Sequence, residues 1–233
     1  MKLSIVIPCY NEEKNIPLLL EKFNTAIKSE DIEVILVNNG STDHSANVLD
    51  HMLTKYNFLK IVDVTINQGY GYGIISGLKK AKGQFIGYTH ADLQTDPEDV
   101  LQAFKVIAQQ EKPENCYIKG NRRGRNFFDQ FFTWGMSFFE SFYLRSILWD
   151  INAQPNIFDA SFIDGLEDIP NDFSFDLFLL YMAKKKNLNV IRFDVYFAQR
   201  VYGVSSWNTG LHSKWKFIMR TINFSTKLKK RIH

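Results

Sequence analysis

Apolar and polar positions along this chain follow two rhythms. Short β-branched runs at residues 3–7, 33–37, 59–64 and 85–89 read as strands. Between them the apolar positions recur at helical spacing and predict helices of roughly 13 residues, beginning near Glu13, Asp43 and Tyr70. Strands alternating with helices in this way predict an α/β fold on a mostly parallel sheet. A fourth helix opens at Asp96-Pro97-Glu98-Asp99. Asp96 is its expected N-cap, proline suits the first turn, and Asp99 stands at the capping-box position.

The second half changes character. A short strand is expected over 116–119, followed by the basic turn Gly120-Asn121-Arg122-Arg123-Gly124-Arg125. Ten of the 23 residues from Phe127 to Trp149 are aromatic, while polar residues recur there at helical spacing. That pattern predicts a helix with a wide apolar face. A turn-rich stretch over 150–172, an apolar helix over 177–186, a strand over 189–193 and a loop over 200–206 complete the pattern. No repeat or low-complexity linker interrupts it. One domain is expected over 1–210, in two halves, 1–115 and 116–210. The last segment, 211–233, reads separately: from Lys214 to Arg231 it has seven basic residues and no acidic one.

Composition narrows the class. With 233 residues and 45% hydrophobic content the chain can bury a sizeable core. Two distant cysteines, Cys9 and Cys116, fit no metal spacing and point to a reducing compartment. The apolar run before Pro8 is too short for a signal peptide. No stretch approaches the roughly 20 apolar residues of a membrane-spanning helix. A net charge of +3 gives no reason to expect nucleic acid.

Ligands of open parallel sheets bind beyond the carboxyl ends of the strands. Each predicted strand here runs into a polar loop: Pro8 to Glu12, Asn38 to Asp43, Asn67-Gln68-Gly69, and His90-Ala91-Asp92-Leu93-Gln94. A nucleotide base needs a flat surface and a hydrogen-bonding edge, which Tyr10, Glu12 and Asn39 can supply. Asparagine and glycine also make turns at such places, so Asn38-Asn39-Gly40 keeps both readings open. The glycines Gly69, Gly71 and Gly73 do not give the spacing of a dinucleotide-binding loop.

These loops, in this order, resemble the motifs of family 2 glycosyltransferases. Phe175-Asp176-Leu177 and Arg200, Gly203 and Ser205 are similar to late motifs of the polyprenyl-phosphate sugar synthases. The resemblance implies the GT-A fold and inverting transfer of a sugar from a nucleoside-diphosphate donor, a UDP- or GDP-sugar. It implies donor contacts from Pro8, Tyr10, Glu12, Asn38, Asn39, Gly69 and Asp92. Relatives use a divalent metal, Mg²⁺ or Mn²⁺, at the fourth loop. Asp92 is the expected carboxylate, with His90 and Gln94 beside it; His90 stands where relatives carry a second aspartate. For the acceptor, the resemblance implies phosphate contacts from Arg122 or Arg123, Arg200 and Ser205.

The acceptor decides what catalysis requires. A lipid phosphate is already ionised near neutral pH, since its second pKa is about 6, so it needs positioning and screening alone. A glycan hydroxyl would need a carboxylate to take its proton, Asp176 or else Asp172. A relative that binds nucleotide without catalysis is the remaining alternative, motivated by asparagine and histidine at Asn38 and His90. The expected partners are a lipid-linked acceptor and an anionic membrane surface. Leu211, Trp215, Ile218 and Ile222 line one side of the C-terminal segment and lysines flank it, as in an interfacial amphipathic helix. The expected location is peripheral, on the inner face of the cell membrane.

Overall fold

The computed structural model describes residues 2–125, 127–203 and 211–232. Seven strands form one sheet: β1 (Leu3–Cys9), β2 (Ile32–Asn39), β3 (Leu59–Val64), β4 (Phe85–Tyr88), β5 (Cys116–Arg123), β6 (Asn156–Asp159) and β7 (Asn189–Tyr196). Their order is β3-β2-β1-β4-β6-β5-β7. All pairings are parallel except those of β6, which runs antiparallel to both β4 and β5. The helices are α1 (Asn15–Ala26), α2 (Ser45–Leu53), α3 (Tyr70–Leu78), α4 (Pro97–Ala108), α5 (Phe127–Leu144), α6 (Phe175–Lys185) and α7 (Leu211–Ile232).

The uninterrupted apolar runs of β1 and β2 follow from helices covering both faces of the sheet. Leu3, Ile5 and Ile7 pack with α1 residues Leu19, Leu20 and Phe23 in one core. Val6, Ile35 and Val37 point the opposite way, into a second core with Ile74 of α3 and Phe175, Leu179 and Leu180 of α6. Period-2 alternation of side chains divides each strand between these two layers.

Several local expectations are met. Asp96 caps α4 by accepting the Glu98 N–H at 3.0 Å, with Pro97 in the first turn. Others are revised. Helices α2 and α3 are nine residues each, shorter than their periodicity suggests. The aromatic helix stops at Leu144 because Arg145 adopts a left-handed conformation (φ 52°). The four residues of β6 lie inside the stretch read as turns. No helix among the described residues is long and apolar enough to cross a membrane.

The C-terminal helix is not a detached surface segment. Thr221, Ser225 and Leu228 of α7 are buried, and Phe224 packs its ring edge-on against Phe178 of α6. Ser225 Oγ donates to Glu140 Oε2 of α5 at 2.6 Å. The buried line, 221, 225 and 228, lies beside the stripe expected to face a membrane, of which Trp215 is 61% exposed. Small hydroxyl side chains can turn inward because they bond to their own helix: Ser225 to Thr221 O at 3.0 Å and Thr226 to Ile222 O at 2.9 Å.

Candidate active site

The sheet reverses its direction of winding between β1 and β4, and the expected loops gather at the carboxyl ends of the strands there. The loops after β1 and β2 tie to each other through amide, hydroxyl and carboxylate groups. Asn11, in a left-handed conformation, accepts the Thr42 N–H at 2.8 Å through Oδ1 and donates its own N–H to Ser41 Oγ at 3.1 Å. The Glu12 N–H donates to Ser45 Oγ at 3.0 Å. Burial raises the pKa of Glu12, against the lowering effect of its 2.5 Å hydrogen bond from Asn15 Nδ2. Tyr10 is exposed.

Asn38 donates to Asp63 Oδ1 at 3.0 Å, and its Oδ1 accepts the Ser41 N–H at 3.3 Å. Asn39 donates to the Gly69 carbonyl at 3.0 Å, while its Oδ1 is buried without a protein partner. Gly69 (φ 114°) has no room for a side chain: a Cβ would lie 2.5 Å from the Asn171 carbonyl oxygen. Both asparagines thus brace the loop, and the base-contacting role rests on what their remaining valences can reach.

Asp92, His90 and Gln94 lie in the loop after β4, together with Leu93 at φ 58°. Asp92 Oδ1 accepts the Gln94 N–H at 3.1 Å. Its Oδ2 lies 2.7 Å from Nη2 of Arg200. Gln94 fastens the loop after β7 to this place, donating to Ala198 O at 3.2 Å and accepting from Arg200 Nε at 3.2 Å. Burial lowers the pKa of His90 and favours the neutral imidazole, and its ring packs on Tyr70.

Asp92, His90, Gln94, Arg122, Arg200 and Asp176 all line one cavity of about 110 Å³. Arg122 Nε and Nη2 both bond to Asp150 Oδ1, and the Arg122 N–H donates to Asp150 Oδ2 at 2.8 Å. The guanidinium lowers the pKa of Asp150 against the opposing effect of burial. Arg123 does not share the cavity. It follows Arg122 on β5, so its side chain takes the opposite face, where it is 63% exposed and pairs with Asp194 at 3.1 Å. Of the two arginines expected as alternatives, only Arg122 lines the cavity. Ser205 lies outside the described residues.

Asp176, at the start of α6, is held by Tyr88 OH (2.8 Å) and Gln154 Nε2 (3.0 Å), both on Oδ1. Lys119 Nζ lies 3.7 Å from the same oxygen. Burial pushes the Lys119 ammonium down to about 8, although the Asp176 charge acts the other way. Tyr70 and Tyr88 are driven well above the usual phenol range, first by burial and then by Asp176.

Residues 4–164 match the model of the family described as Glycosyl transferase family 2. The chain belongs to that family. Among curated relatives, an undecaprenyl-phosphate 4-deoxy-4-formamido-L-arabinose transferase of Photorhabdus laumondii is 38% identical over 112 residues, which is 46% of this chain and 34% of the relative. The transferase of the same name from Proteus mirabilis is 35% identical over 135 residues, 56% of this chain and 39% of the relative. The chain thus spans little more than a third of these relatives. Among solved structures, glucosyl-3-phosphoglycerate synthase from Mycobacterium tuberculosis with Mn²⁺, UDP and glucosyl-3-phosphoglycerate superposes with a TM-score of 0.73 at 15% identity. That match covers 96% of this chain and 79% of the other. The same enzyme with Mn²⁺ and UDP-glucose gives 0.74 at 16% identity, covering 96% and 78%. The architecture is therefore GT-A.

Within this family 2 domain, no cluster of three or more His, Cys, Asp or Glu able to hold a metal occurs among the described residues. Magnesium in nucleotide sites takes one or two carboxylates and completes its shell with phosphate and water. One carboxylate, Asp92, beside a neutral imidazole meets that requirement, so the residues fit a divalent ion shared with a donor diphosphate. Arg200 engages the same carboxylate.

Several cavity residues were missed in the sequence. Arg125 lines the cavity three residues after Arg122, and Phe197 lies beside both guanidiniums at 5.4 and 5.6 Å. The basic run 122–125 was visible, but the turn at Gly124 (φ 78°) that redirects the chain before Arg125 was not. Tyr70, also on the cavity wall, gave no local signal, and neither did Lys119 and Gln154 behind it.

Proposed function

We propose that this domain transfers a sugar, with inversion, from a nucleoside-diphosphate sugar to a polyprenyl phosphate or lipid-linked glycan in cell-envelope polysaccharide synthesis. The observation that carries the reading is the cavity itself. Asp92 and the guanidiniums of Arg122, Arg125 and Arg200 share it with the apolar side chains Phe132 and Met136. Planar guanidiniums suit phosphate, and the apolar wall suits an isoprenoid chain. The curated relatives are named for undecaprenyl phosphate, and the superposed enzymes were solved with UDP or UDP-glucose, which supports a uridine donor.

Asp92, with His90 and Gln94 beside it, is where Mg²⁺ or Mn²⁺ would sit, and its chemistry there is to neutralise the departing diphosphate. Tyr10, Glu12, Asn38 and Asn39 orient the base, with Pro8 and Gly69 shaping the floor. Arg122 and Arg200 hold the acceptor phosphate. Its oxygen bonds to the anomeric carbon as the bond to the donor diphosphate breaks, and the nucleoside diphosphate leaves with that electron pair. The ionised acceptor needs no general base. The hydroxyl-acceptor reading would use Asp176, but its Oδ1 already accepts from Tyr88 and Gln154.

The membrane side of the reading rests on α5 and α7. Phe127, Phe131, Trp134, Phe138 and Phe142 form an exposed row along α5, and Lys229 and Lys230 of α7 lie near its C-terminal end beside Tyr143 and Arg145. Aromatic and basic groups together suit the anionic inner face of a cell membrane. The test is nucleoside diphosphate release by the purified protein, given UDP- or GDP-sugars, Mn²⁺ or Mg²⁺, and a short polyprenyl phosphate. Release that requires the lipid phosphate is expected. Release with glycan alone would favour the hydroxyl reading, and nucleotide binding without release would favour a non-catalytic relative.

A further inference from the structure

Beneath the cavity lies a closed ring of buried polar groups. Lys119 of β5 stands directly across from Asn156 of β6, and its Nζ donates to Asn156 Oδ1 at 2.8 Å. Asn156 Nδ2 donates to Gln154 Oε1, and Gln154 Nε2 donates to Asp176 Oδ1 at 3.0 Å. Asp176 closes the ring, 3.7 Å from Lys119 Nζ, with side-chain exposures of 0% for the lysine and 3% for the aspartate. Backbone packing holds the circuit. Gly120 lies so near the Gln154 turn that a Cβ would come 2.1 Å from its carbonyl oxygen.

An ion pair at this depth is a poor device for stability. Desolvation consumes much of the attraction, and apolar side chains of similar volume often serve as well or better. The neighbours of Lys119 on its own face of β5 and β6, Tyr117 and Phe158, are aromatic, so an apolar residue would suit the site. Asp176 lines the cavity with Asp92, whereas Lys119 does not. The ammonium therefore reaches the reaction only through the carboxylate.

We infer that Lys119 is a positioning residue for sugar transfer, holding Asp176 charged and oriented on the wall of the cavity. The inference rests on the transfer reading above. In this role Asp176 faces the donor sugar as a fixed negative charge, which favours the positive character that develops at an anomeric carbon during transfer. Lys119 prevents the carboxylate from standing as an uncompensated buried charge. Asn156 and Gln154 fix the distance between the two.

The test uses Lys119→Met and Lys119→Gln in the full chain, the second keeping a polar group opposite Asn156 without the charge. Turnover in the lipid-phosphate assay should fall roughly tenfold or more in both, as expected when a reacting-centre group is misplaced. UDP affinity measured calorimetrically with Mn²⁺, and the acceptor KM, should stay within about threefold of the native protein, which a general structural loss would not allow. In an Asp176→Asn background, Lys119→Met should change turnover by less than about threefold, because the two act as one unit. The double variant should also melt above Lys119→Met alone, since it leaves no unpaired charge. If Lys119→Met fails to fold, recovery of folding in the double variant supports the pair, and equal failure of both overturns it. Native turnover in folded Lys119→Met, or equal losses in both backgrounds, also overturns it. Absence of transfer by the native protein with every donor would instead defeat the transfer reading, while the melting comparison would still report on the pair.

Discussion

The two sides of the cavity, the proposed donor side and the proposed acceptor side, are built from different materials. On the donor side, residues at and just beyond the ends of β1, β2 and β3 are joined by asparagine hydrogen bonds and not by ion pairs: Asn11 to Thr42, Asn38 to the Asp63 carboxylate, Asn39 to the Gly69 carbonyl. On the acceptor side the groups are charged and already paired: Arg122 with Asp150, Lys119 with Asp176, and Arg200 reaching across to Asp92 of the donor side. Hydrogen bonds from neutral donors preset a shape that ligand can enter without exchange of partners. Charged pairs define a shape and a potential, and a ligand ion must share or displace a partner. A double negative charge arriving near Asp92 meets a guanidinium already in place.

Five substitutions probe this contrast. The largest effect is expected for Arg122→Ala, which strands the buried Asp150 carboxylate and should cost about 3–5 kcal/mol of stability, read by denaturant unfolding. Asp150→Asn in the same chain should recover part of it. Asp92→Asn follows: transfer should fall about a hundredfold, with a smaller loss of melting temperature than Arg122→Ala, since the amide can still accept the Gln94 N–H and Arg200, left without its carboxylate, is partly exposed. Near-native turnover in that variant would remove Asp92 from the chemistry.

Glu140 is smaller in effect and carries a pH signature. Burial raises its pKa from 4.5 to about 7, opposed by the Ser225 hydroxyl. The folded state then binds more protons than the unfolded state between those values, so this group's contribution to stability falls as pH rises from about 4.5 to 7. Glu140→Gln should raise the melting temperature more at pH 8 than at pH 5, by about 1–2 kcal/mol in unfolding free energy. An equal shift at both pH values would contradict the assignment. The smallest effect belongs to Arg123→Ala, an exposed pair with Asp194, worth less than about 1 kcal/mol and without effect on acceptor KM.

The sequence revealed the donor side more fully than the acceptor side, for a physical reason. Strands buried on both faces leave long apolar runs, a capped helix start has local chemistry, and loops at strand ends follow in order. Asp92, His90 and Gln94 fall within five residues, so their association was readable. The Lys119–Asp176 contact joins residues 57 positions apart, and nothing near either one announces the other. Arg122 and Arg123 looked equivalent until the pleat of β5 sent them to opposite faces. Helix α7 was read from its basic and apolar residues, whereas its seat is made by Thr221 and Ser225, polar residues that a hydropathy pattern assigns to water.

Helix α5 presents its aromatic row on one side and Phe132, Thr133 and Met136 to the cavity on the other. The span between those sides is one helix diameter, about 10–12 Å. On the proposed reading, with α5 at the surface of a bilayer, a phosphate headgroup would reach Arg200 by climbing that short distance while the far end of its tail stayed dissolved among lipids. Hauling a whole isoprenoid through water would thereby be avoided. Length beyond the first few isoprene units should then leave turnover unchanged, and the bilayer acts as the reservoir from which only a headgroup is lent.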